Sequence, residues 1–324
     1  MRRLVSSLYN ATIKKTPRLF GMIYKLGDIY CSLKLPSPVY WANAKYAKQL
    51  RDYIEENHYD AVICTHLYGM EAMTAIRKQY KDFTVPCYGV LTDYTCIPFF
   101  EETNLDGYFV PNEDQKKYMI KKGFSEDSIV VSGIPVNDMF RNHMDQQTAR
   151  AELHLPQGKK IFLVMTGGVG CENMTGLYDK LLCGISADDM LVILTGRNEK
   201  LKYKLRDKYA DRKQVRVVGF TRKVARYMAA ADVLLSKSGG LSSTEAAVAN
   251  IPMVHVNVIP GCETFNARFF SGHGMAYCAK NEKQAVRYAS KLAYNRDISD
   301  KMRNNQREYI KENAAETIVR TVVS

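Results

Sequence analysis

Ten short apolar runs rich in β-branched residues recur along the chain, and most are separated by segments long enough to form a helix. Runs that are apolar without strict alternation are typical of parallel strands buried on both faces of a sheet. The pattern therefore predicts an α/β fold with doubly wound sheets. The predicted strands are 60–65, 85–92, 107–110 and 128–131 in the first half, and 160–165, 190–195, 215–219, 232–236, 252–257 and 275–278 in the second.

A polar stretch from Arg141 to Lys160, which contains Pro156 and Gly158, separates the two sets of strands. It is the expected joint between two Rossmann-like domains that face a cleft, 1–145 and 146–324. Because ligands of doubly wound sheets bind beyond the carboxyl ends of the strands, the loops leaving the strands are the first candidates for a site.

Composition excludes several classes of protein. With 324 residues, 46% of them hydrophobic, the chain can form two cores and is neither disordered nor collagen-like. Its eight cysteines form no CxxC pair, which is typical of reduced cytosolic thiols rather than a zinc site or a disulfide framework. The start, MRRLVSSLYNATIKK, is too interrupted for a signal peptide. No stretch approaches ~18 uninterrupted apolar residues, so any membrane contact is expected to be peripheral.

The net charge of +12 is concentrated at the start, where residues 1–50 hold nine Lys or Arg and a single acid, Asp28. Basic side chains are attracted to anionic lipid, and Tyr and Trp settle at the headgroup boundary. We therefore expect this segment to contact the inner face of the cell membrane; the alternative is a solvated basic face with its aromatic rings in the core. No motif indicates nucleic-acid binding. The expected membrane contacts are Arg2, Arg3, Lys14, Lys15, Arg18, Tyr24, Lys25 and Trp41.

The most informative loop is 236–249, SKSGGLSSTEAAVA, which follows a predicted strand and opens a helix. Gly239 and Gly240 allow close approach to the free N–H groups of the helix start, a position that suits a diphosphate without a metal. Glu245 could accept hydrogen bonds from a ribose diol. The alternative for Glu245 is a capping box with Ser242, which needs no ligand.

With its surroundings, this loop resembles the donor-site signature of glycosyltransferase family 28. The similarity includes 251–254 (IPMV) and 259–266 (IPGCETFN), and the branch is that of monogalactosyldiacylglycerol synthase and the bacterial diacylglycerol glucosyltransferases. In the first half, 65–67 (THL), 89–94 (GVLTDY), 106–110 (DGYFV) and 131–136 (VSGIPV) recur in the same order. The resemblance covers nearly the whole chain and implies the two-domain GT-B fold.

The resemblance also implies roles for individual residues. The C-terminal domain would bind the UDP-sugar donor, and the N-terminal domain would face the acceptor and the membrane, with Asp93 orienting or deprotonating a lipid hydroxyl. Alternatives are a core position for Phe220, a tight turn for the glycine pair at 167 and 168, and a turn or N-cap for Asp93. The implied donor contacts are Gly219 and Phe220 for uracil, Gly239 and Gly240 for the diphosphate, Glu245 for ribose, Glu263 and Asn266 for the sugar hydroxyls, and Gly167, Gly168 and Arg197 for the wall of the cleft, together with Ser238.

Three features depart from the family pattern. Cys262 replaces a common glutamine, which leaves the donor sugar open between UDP-glucose and UDP-galactose. Ile97 and Phe100 replace a frequent His and Trp. No strand with a glycine-rich loop precedes Asp60, so we hypothesise that Met1 is an internal start and that the N-terminal domain lacks its first strand.

The sequence thus predicts a peripheral, cytoplasmic transferase that moves a hexose from a UDP-sugar to diacylglycerol or a related glycolipid without a cofactor or an essential metal. Two alternatives remain open. One is a non-catalytic UDP-sugar-binding protein, and the other is transfer of N-acetylglucosamine to a polyprenyl-linked peptidoglycan precursor.

Overall fold

A computed structural model describes residues 36–165 and 174–324. By its internal contacts the described chain divides into an N-terminal unit, residues 36–135 with 311–324, and a C-terminal unit, residues 136–310. Nine residues with predicted roles lie outside the described residues: Arg2, Arg3, Lys14, Lys15, Arg18, Tyr24, Lys25, Gly167 and Gly168.

Helices and strands alternate along the described chain. Their order is α1 (Pro38–Ala44), α2 (Ala47–Glu56), β1 (Val62–Cys64), α3 (Leu67–Gln79), β2 (Cys87–Val90), β3 (Gly107–Val110), α4 (Glu113–Lys121), β4 (Ile129–Val131), α5 (Gln146–Glu152), β5 (Ile161–Met165), α6 (Thr175–Gly184), β6 (Met190–Leu194), α7 (Glu199–Lys208), β7 (Val215–Val218), α8 (Val224–Ala230), β8 (Val233–Ser236), α9 (Gly240–Val248), β9 (Met253–His255), α10 (Cys262–Gly272), β10 (Tyr277–Cys278), α11 (Glu282–Tyr294), α12 (Arg296–Tyr309) and α13 (Ala314–Val323). No helix among them is long and apolar enough to cross a bilayer.

All ten predicted strands are confirmed, and they form two parallel sheets. The N-terminal unit has the order β1-β2-β3-β4, and the C-terminal unit has the order β10-β9-β8-β5-β6-β7. In the second sheet the strand order reverses between β5 and β8, which are direct neighbours. The loop that leaves β8 therefore lies at the switch point, where doubly wound sheets bind their ligands.

Each unit has its own core, built from strand residues that face helices on the sheet. In the C-terminal unit Phe162, Val164 and Leu191 are fully buried in one apolar cluster. In the N-terminal unit the corresponding cluster includes Met73 and Ile76 on α3. Continuous apolar strands are consistent with sheets covered on both faces, as the sequence predicts.

The division into units differs from the expected boundary at 145/146 in two places. The polar stretch 141–160, expected to be a joint, contains α5, and α5 is anchored within the C-terminal unit: Arg150 Nη2 donates to Asp232 Oδ2 at 2.8 Å. The last helix, α13, belongs to the N-terminal unit, where Ile318 packs against Val90 and Phe109. Gly133 has φ +88°, and a Cβ there would lie 3.2 Å from the Lys311 carbonyl oxygen. Glycine at this position therefore allows the chain to pass close to residue 133 where it returns to the N-terminal unit.

Candidate functional site

The loop between β8 and α9 presents unpaired backbone amides at the carboxyl edge of the C-terminal sheet. Gly239 is the N-cap of α9 in an extended conformation (φ −68°, ψ 140°) and supplies no capping side chain. The first bond of the helix runs from Ser243 N to Gly239 O at 3.0 Å, and the N–H groups of residues 240–242 have no partner among the described residues. Such a helix start carries a partial positive charge and suits an anion.

Glu245 lies in the second turn of α9, and the capping-box alternative for it is wrong. A capping box needs a Ser or Thr at the N-cap and an acid three residues later. The N-cap is Gly239, and Ser242 Oγ instead donates back to the Gly239 carbonyl at 3.3 Å. The helix begins three residues earlier than that alternative assumed. Burial raises the pKa of the Glu245 carboxyl to about 7.

A hydrogen bond joins the first turn of α10 to the same loop. The fully buried Ser238 donates from Oγ to the Glu263 carbonyl oxygen at 2.7 Å, and Glu263 Oε2 accepts from Ile259 N at 3.0 Å. The structure thus brings Glu263 beside the glycine loop. The Ser238 side chain joins the two segments, whereas the Glu263 side chain holds the turn that begins at Ile259. Asn266 is fully buried in α10. The sugar-binding roles of Glu263 and Asn266 stay predictions.

Arg197 and Phe220, which leave the neighbouring strands β6 and β7, meet at the same edge of the sheet. The Arg197 guanidinium carbon lies 5.3 Å from the centre of the Phe220 ring, in cation–π range. Phe220 is 58% exposed, so the core alternative for it is wrong. A Cβ on Gly219 would lie 2.9 Å from Lys202 Cδ, which shows that this glycine lets the loop pack closely against α7.

Three buried polar residues near the loop were not found from the sequence. Lys237 is only 9% exposed and stands two residues before the N-cap. Its position between a strand and a glycine pair is the sequence feature from which it could have been found. Ser243 Oγ and His255 Nε2, both fully buried, lie 3.1 Å apart and join α9 to the end of β9. Burial lowers the pKa of His255 to about 4, so this imidazole is neutral at physiological pH.

The N-terminal unit holds the remaining predicted residues. Asp93 is half-buried in the loop after β2 and precedes no helix, so the N-cap alternative for it is wrong. His66 is the N-cap of α3, where its Nδ1 accepts from Tyr68 N at 3.2 Å, a structural role. Trp41 is 60% exposed on α1, in contrast to the buried Tyr40 beside it. For Trp41, the alternative of an aromatic ring in the core is therefore wrong.

Two family models match the chain. The model described as monogalactosyldiacylglycerol (MGDG) synthase matches residues 1–136, and the model described as UDP-N-acetylglucosamine 2-epimerase matches residues 106–323, two thirds of the chain. The two matches overlap at the end of the N-terminal unit and together span almost the whole sequence.

Curated relatives carry the name of one enzyme. A processive diacylglycerol β-glucosyltransferase of Staphylococcus carnosus is 26% identical over 220 residues, which cover 68% of this chain and 56% of the relative. The chain therefore spans a little more than half the length of that relative.

Solved structures share the fold. MurG of Acinetobacter baumannii superimposes with a TM-score of 0.64 at 16% identity, over 87% of this chain and 78% of that one. A UDP-GlcNAc 2-epimerase of Neisseria meningitidis bound to UDP-GlcNAc gives 0.66 at 18% identity, over 89% and 82%. At this identity the likeness establishes the GT-B fold alone. The predicted resemblance to the monogalactosyldiacylglycerol synthase branch of glycosyltransferase family 28 is thus confirmed by the match of residues 1–136 and by the curated relatives, and by residues 106–323 the chain belongs to the family described as UDP-N-acetylglucosamine 2-epimerase.

Proposed function

We propose that this chain transfers a hexose from UDP-glucose or UDP-galactose to diacylglycerol or a related glycolipid at the cytoplasmic face of a membrane. The observation that carries the proposal is the start of α9, where three amides without partners among the described residues lie beside Glu245 at the switch point of the sheet. The curated relatives, named for glucosyl transfer to diacylglycerol, supply the reaction class.

The donor would be held by three parts of the C-terminal unit. Its diphosphate would lie on the amides after Gly239, its uracil would stack on the exposed ring of Phe220 beside Arg197, and its ribose would reach Glu245. A helix start attracts an anion through its dipole and N–H groups, and Lys237 adds a cation next to it. On this account UDP binding needs no metal and persists in a chelator.

The transfer is a substitution at the anomeric carbon. The acceptor hydroxyl oxygen forms a bond to that carbon as the bond to the UDP oxygen breaks, UDP leaves with the electron pair, and the hydroxyl proton passes to a base. Asp93 is the residue proposed to orient this hydroxyl or accept its proton. Charge that develops on the leaving UDP would be stabilised by the start of α9, which is fixed before the reaction.

Membrane association is proposed for the basic segment before α1 together with Trp41. We expect residues 2–48 to hold the protein on vesicles of phosphatidylglycerol far better than on neutral phosphatidylcholine vesicles, with binding that weakens as salt rises. Cosedimentation measures this directly. Equal binding to both kinds of vesicle would contradict the proposed contact.

Glu245→Gln is expected to weaken UDP binding at least ~10-fold, about 1.4 kcal/mol, since an amide can replace only one of the carboxylate's acceptor bonds to a ribose diol. Glutamine has the same shape and cannot ionise, and burial disfavours the charged carboxylate, so thermal stability at neutral pH should stay the same or rise. Calorimetry with UDP provides the measurement. An unchanged affinity would remove Glu245 from the site.

Phe220→Ala is expected to weaken UDP binding about 10-fold, because an exposed ring is lost on which a base can stack. Phe220→Tyr retains a ring and should bind UDP like the wild type. Tyr203→Ala, which removes another exposed ring of the same unit, serves as the control. If Phe220→Ala and Tyr203→Ala bind UDP equally well, the ring does not contact the base.

UDP release tests the proposed function. We expect UDP to be released from UDP-glucose or UDP-galactose only when diacylglycerol vesicles are present. A protein that only binds UDP-sugars would bind UDP and release none in either condition. Release that requires a polyprenyl-linked acceptor and UDP-N-acetylglucosamine would favour the peptidoglycan-precursor alternative.

Epimerisation of the donor is a second candidate, because the longer family match carries that description. An epimerase would convert UDP-N-acetylglucosamine to its 2-epimer without any acceptor. Chromatography of the nucleotide sugars after incubation distinguishes this outcome from transfer.

A further inference from the structure

A cavity in the C-terminal unit reaches the edge of the sheet opposite the glycine loop. It has a volume of about 720 Å³, and part of its lining precedes strands: Ala231 before β8, and Asn250 and Ile251 before β9. The glycine loop follows the carboxyl end of β8. The cavity therefore reaches the amino ends of these strands, and it extends along α8 to Arg222 and Lys223, which follow the carboxyl end of β7. Its size is within the usual range of small-molecule sites.

The lining combines apolar side chains with cations. Apolar surface comes from Met139, Phe140, Met144, Met228 and Ile251. The cations are Arg222, Lys223, Arg226 and Arg303, and none of the described residues that line the cavity is acidic. A lining that combines apolar side chains with cations fits a ligand with an apolar body and an anionic group.

Two of these cations are already neutralised by neighbours. Arg226 Nε lies 3.0 Å from Glu152 Oε2, and Arg303 Nη1 lies 2.9 Å from Asp300 Oδ1. Arg222 and Lys223 are exposed and form no ion pair with another described residue. The uncompensated charge of the cavity thus comes from two adjacent side chains, which matches the charge of one phosphate group.

We propose that this cavity binds a phosphate ester that carries an apolar group, with the phosphate on Arg222 and Lys223 and the apolar part against Met139, Met144 and Met228. Either the headgroup region of an anionic lipid or a soluble alkyl phosphate has this chemistry. The proposal does not depend on the function proposed for the glycine loop.

Calorimetry of the full chain with hexyl phosphate tests the proposal. We expect hexyl phosphate to bind at least ten times more tightly than inorganic phosphate or hexanol, because each of these lacks one half of the ligand. None of the described residues that line the cavity is a proposed donor contact, so Gly239→Asp, a change within the glycine loop, should leave this binding unchanged. Loss of hexyl phosphate binding in Gly239→Asp would place hexyl phosphate in the donor site and overturn the assignment, whether or not the protein transfers sugar.

Charge reversal locates the site. The double variant Arg222→Glu/Lys223→Glu should raise the dissociation constant for hexyl phosphate at least tenfold. The matched control, Lys204→Glu/Lys213→Glu, makes the same change of charge at two exposed lysines of the same unit that do not line the cavity. Both proteins are checked by thermal melting. Equal loss of binding in the two variants, or no loss in the first, would overturn the proposal.

Cosedimentation with vesicles shows whether the natural ligand is a lipid or a soluble phosphate ester. If the natural ligand is a lipid, Arg222→Glu/Lys223→Glu should also reduce cosedimentation with phosphatidylglycerol vesicles relative to the control variant. If only hexyl phosphate binding responds, the ligand is a soluble phosphate ester. Each of these results supports the proposed chemistry. If the double variant changes the binding of neither hexyl phosphate nor the vesicles, the proposal is contradicted.

Discussion

Gly239→Asp is expected to reduce UDP affinity at least ~100-fold, about 2.7 kcal/mol, while leaving the protein as stable as the wild type or more stable. Gly239 is the N-cap of α9 with extended backbone angles that suit aspartate. The new carboxylate would accept hydrogen bonds from the same amides that the diphosphate needs, and it would repel the diphosphate as well. UDP affinity should therefore fall while the stability of the protein stays the same or rises.

Gly239→Asn is the matched control. Asparagine also caps a helix but carries no charge, so its effect on UDP binding should lie between wild type and aspartate. A Cβ at this position meets only the Ser242 hydroxyl, at 3.2 Å, which can rotate away. Calorimetry and thermal melting on the three proteins give both quantities. If Gly239→Asp binds UDP as the wild type does, the diphosphate does not bind at the start of α9.

Glu71→Gln is expected to stabilise the N-terminal unit by about 3 kcal/mol at pH 8.5 and to change little at pH 5. Glu71 is fully buried in α3, and neither carboxyl oxygen has a hydrogen-bond partner among the described residues. Burial and the nearby Glu102 raise the pKa of Glu71 to about 8. Between the unfolded pKa near 4.5 and the folded pKa near 8, the folded state binds more protons, so wild-type stability falls as pH rises through that window.

Chemical denaturation at a series of pH values measures this effect, with Glu56→Gln as a control at an exposed position of α2. Glutamine has the shape of the protonated acid and cannot ionise, so the pH dependence of stability should be smaller in Glu71→Gln than in the other two proteins. Equal pH dependence in all three would show that Glu71 titrates normally.

Strand positions were predictable because parallel strands buried on both faces must be apolar throughout their length. Residues 107–110 and 161–165 illustrate this, since each forms a strand at or next to the predicted limits. The last helix could not be assigned to the N-terminal unit from its sequence. Its apolar residues, such as Ile318, require a partner, but only the folded chain shows that the partner is Phe109.

The glycine loop was predicted from its residues, whereas the hydrogen bond between Ser243 and His255 beside it was not. Gly239 and Glu245 are only six residues apart and follow one strand, so local spacing was sufficient to find them. Ser243 and His255 are twelve residues apart and meet only because β8 and β9 are neighbours. The capping-box alternative arose because a serine three residues before an acid has the same spacing whether or not the helix begins there.

The most direct test of the central claim is identification of the lipid product. The full chain is incubated with UDP-glucose or UDP-galactose and with phosphatidylglycerol vesicles containing diacylglycerol, and the extracted lipid is examined by mass spectrometry. We expect diacylglycerol that carries one or more hexoses, produced by the wild type and strongly reduced in Gly239→Asp. Unmodified diacylglycerol with both donors, in a protein that is folded and binds UDP, would contradict it.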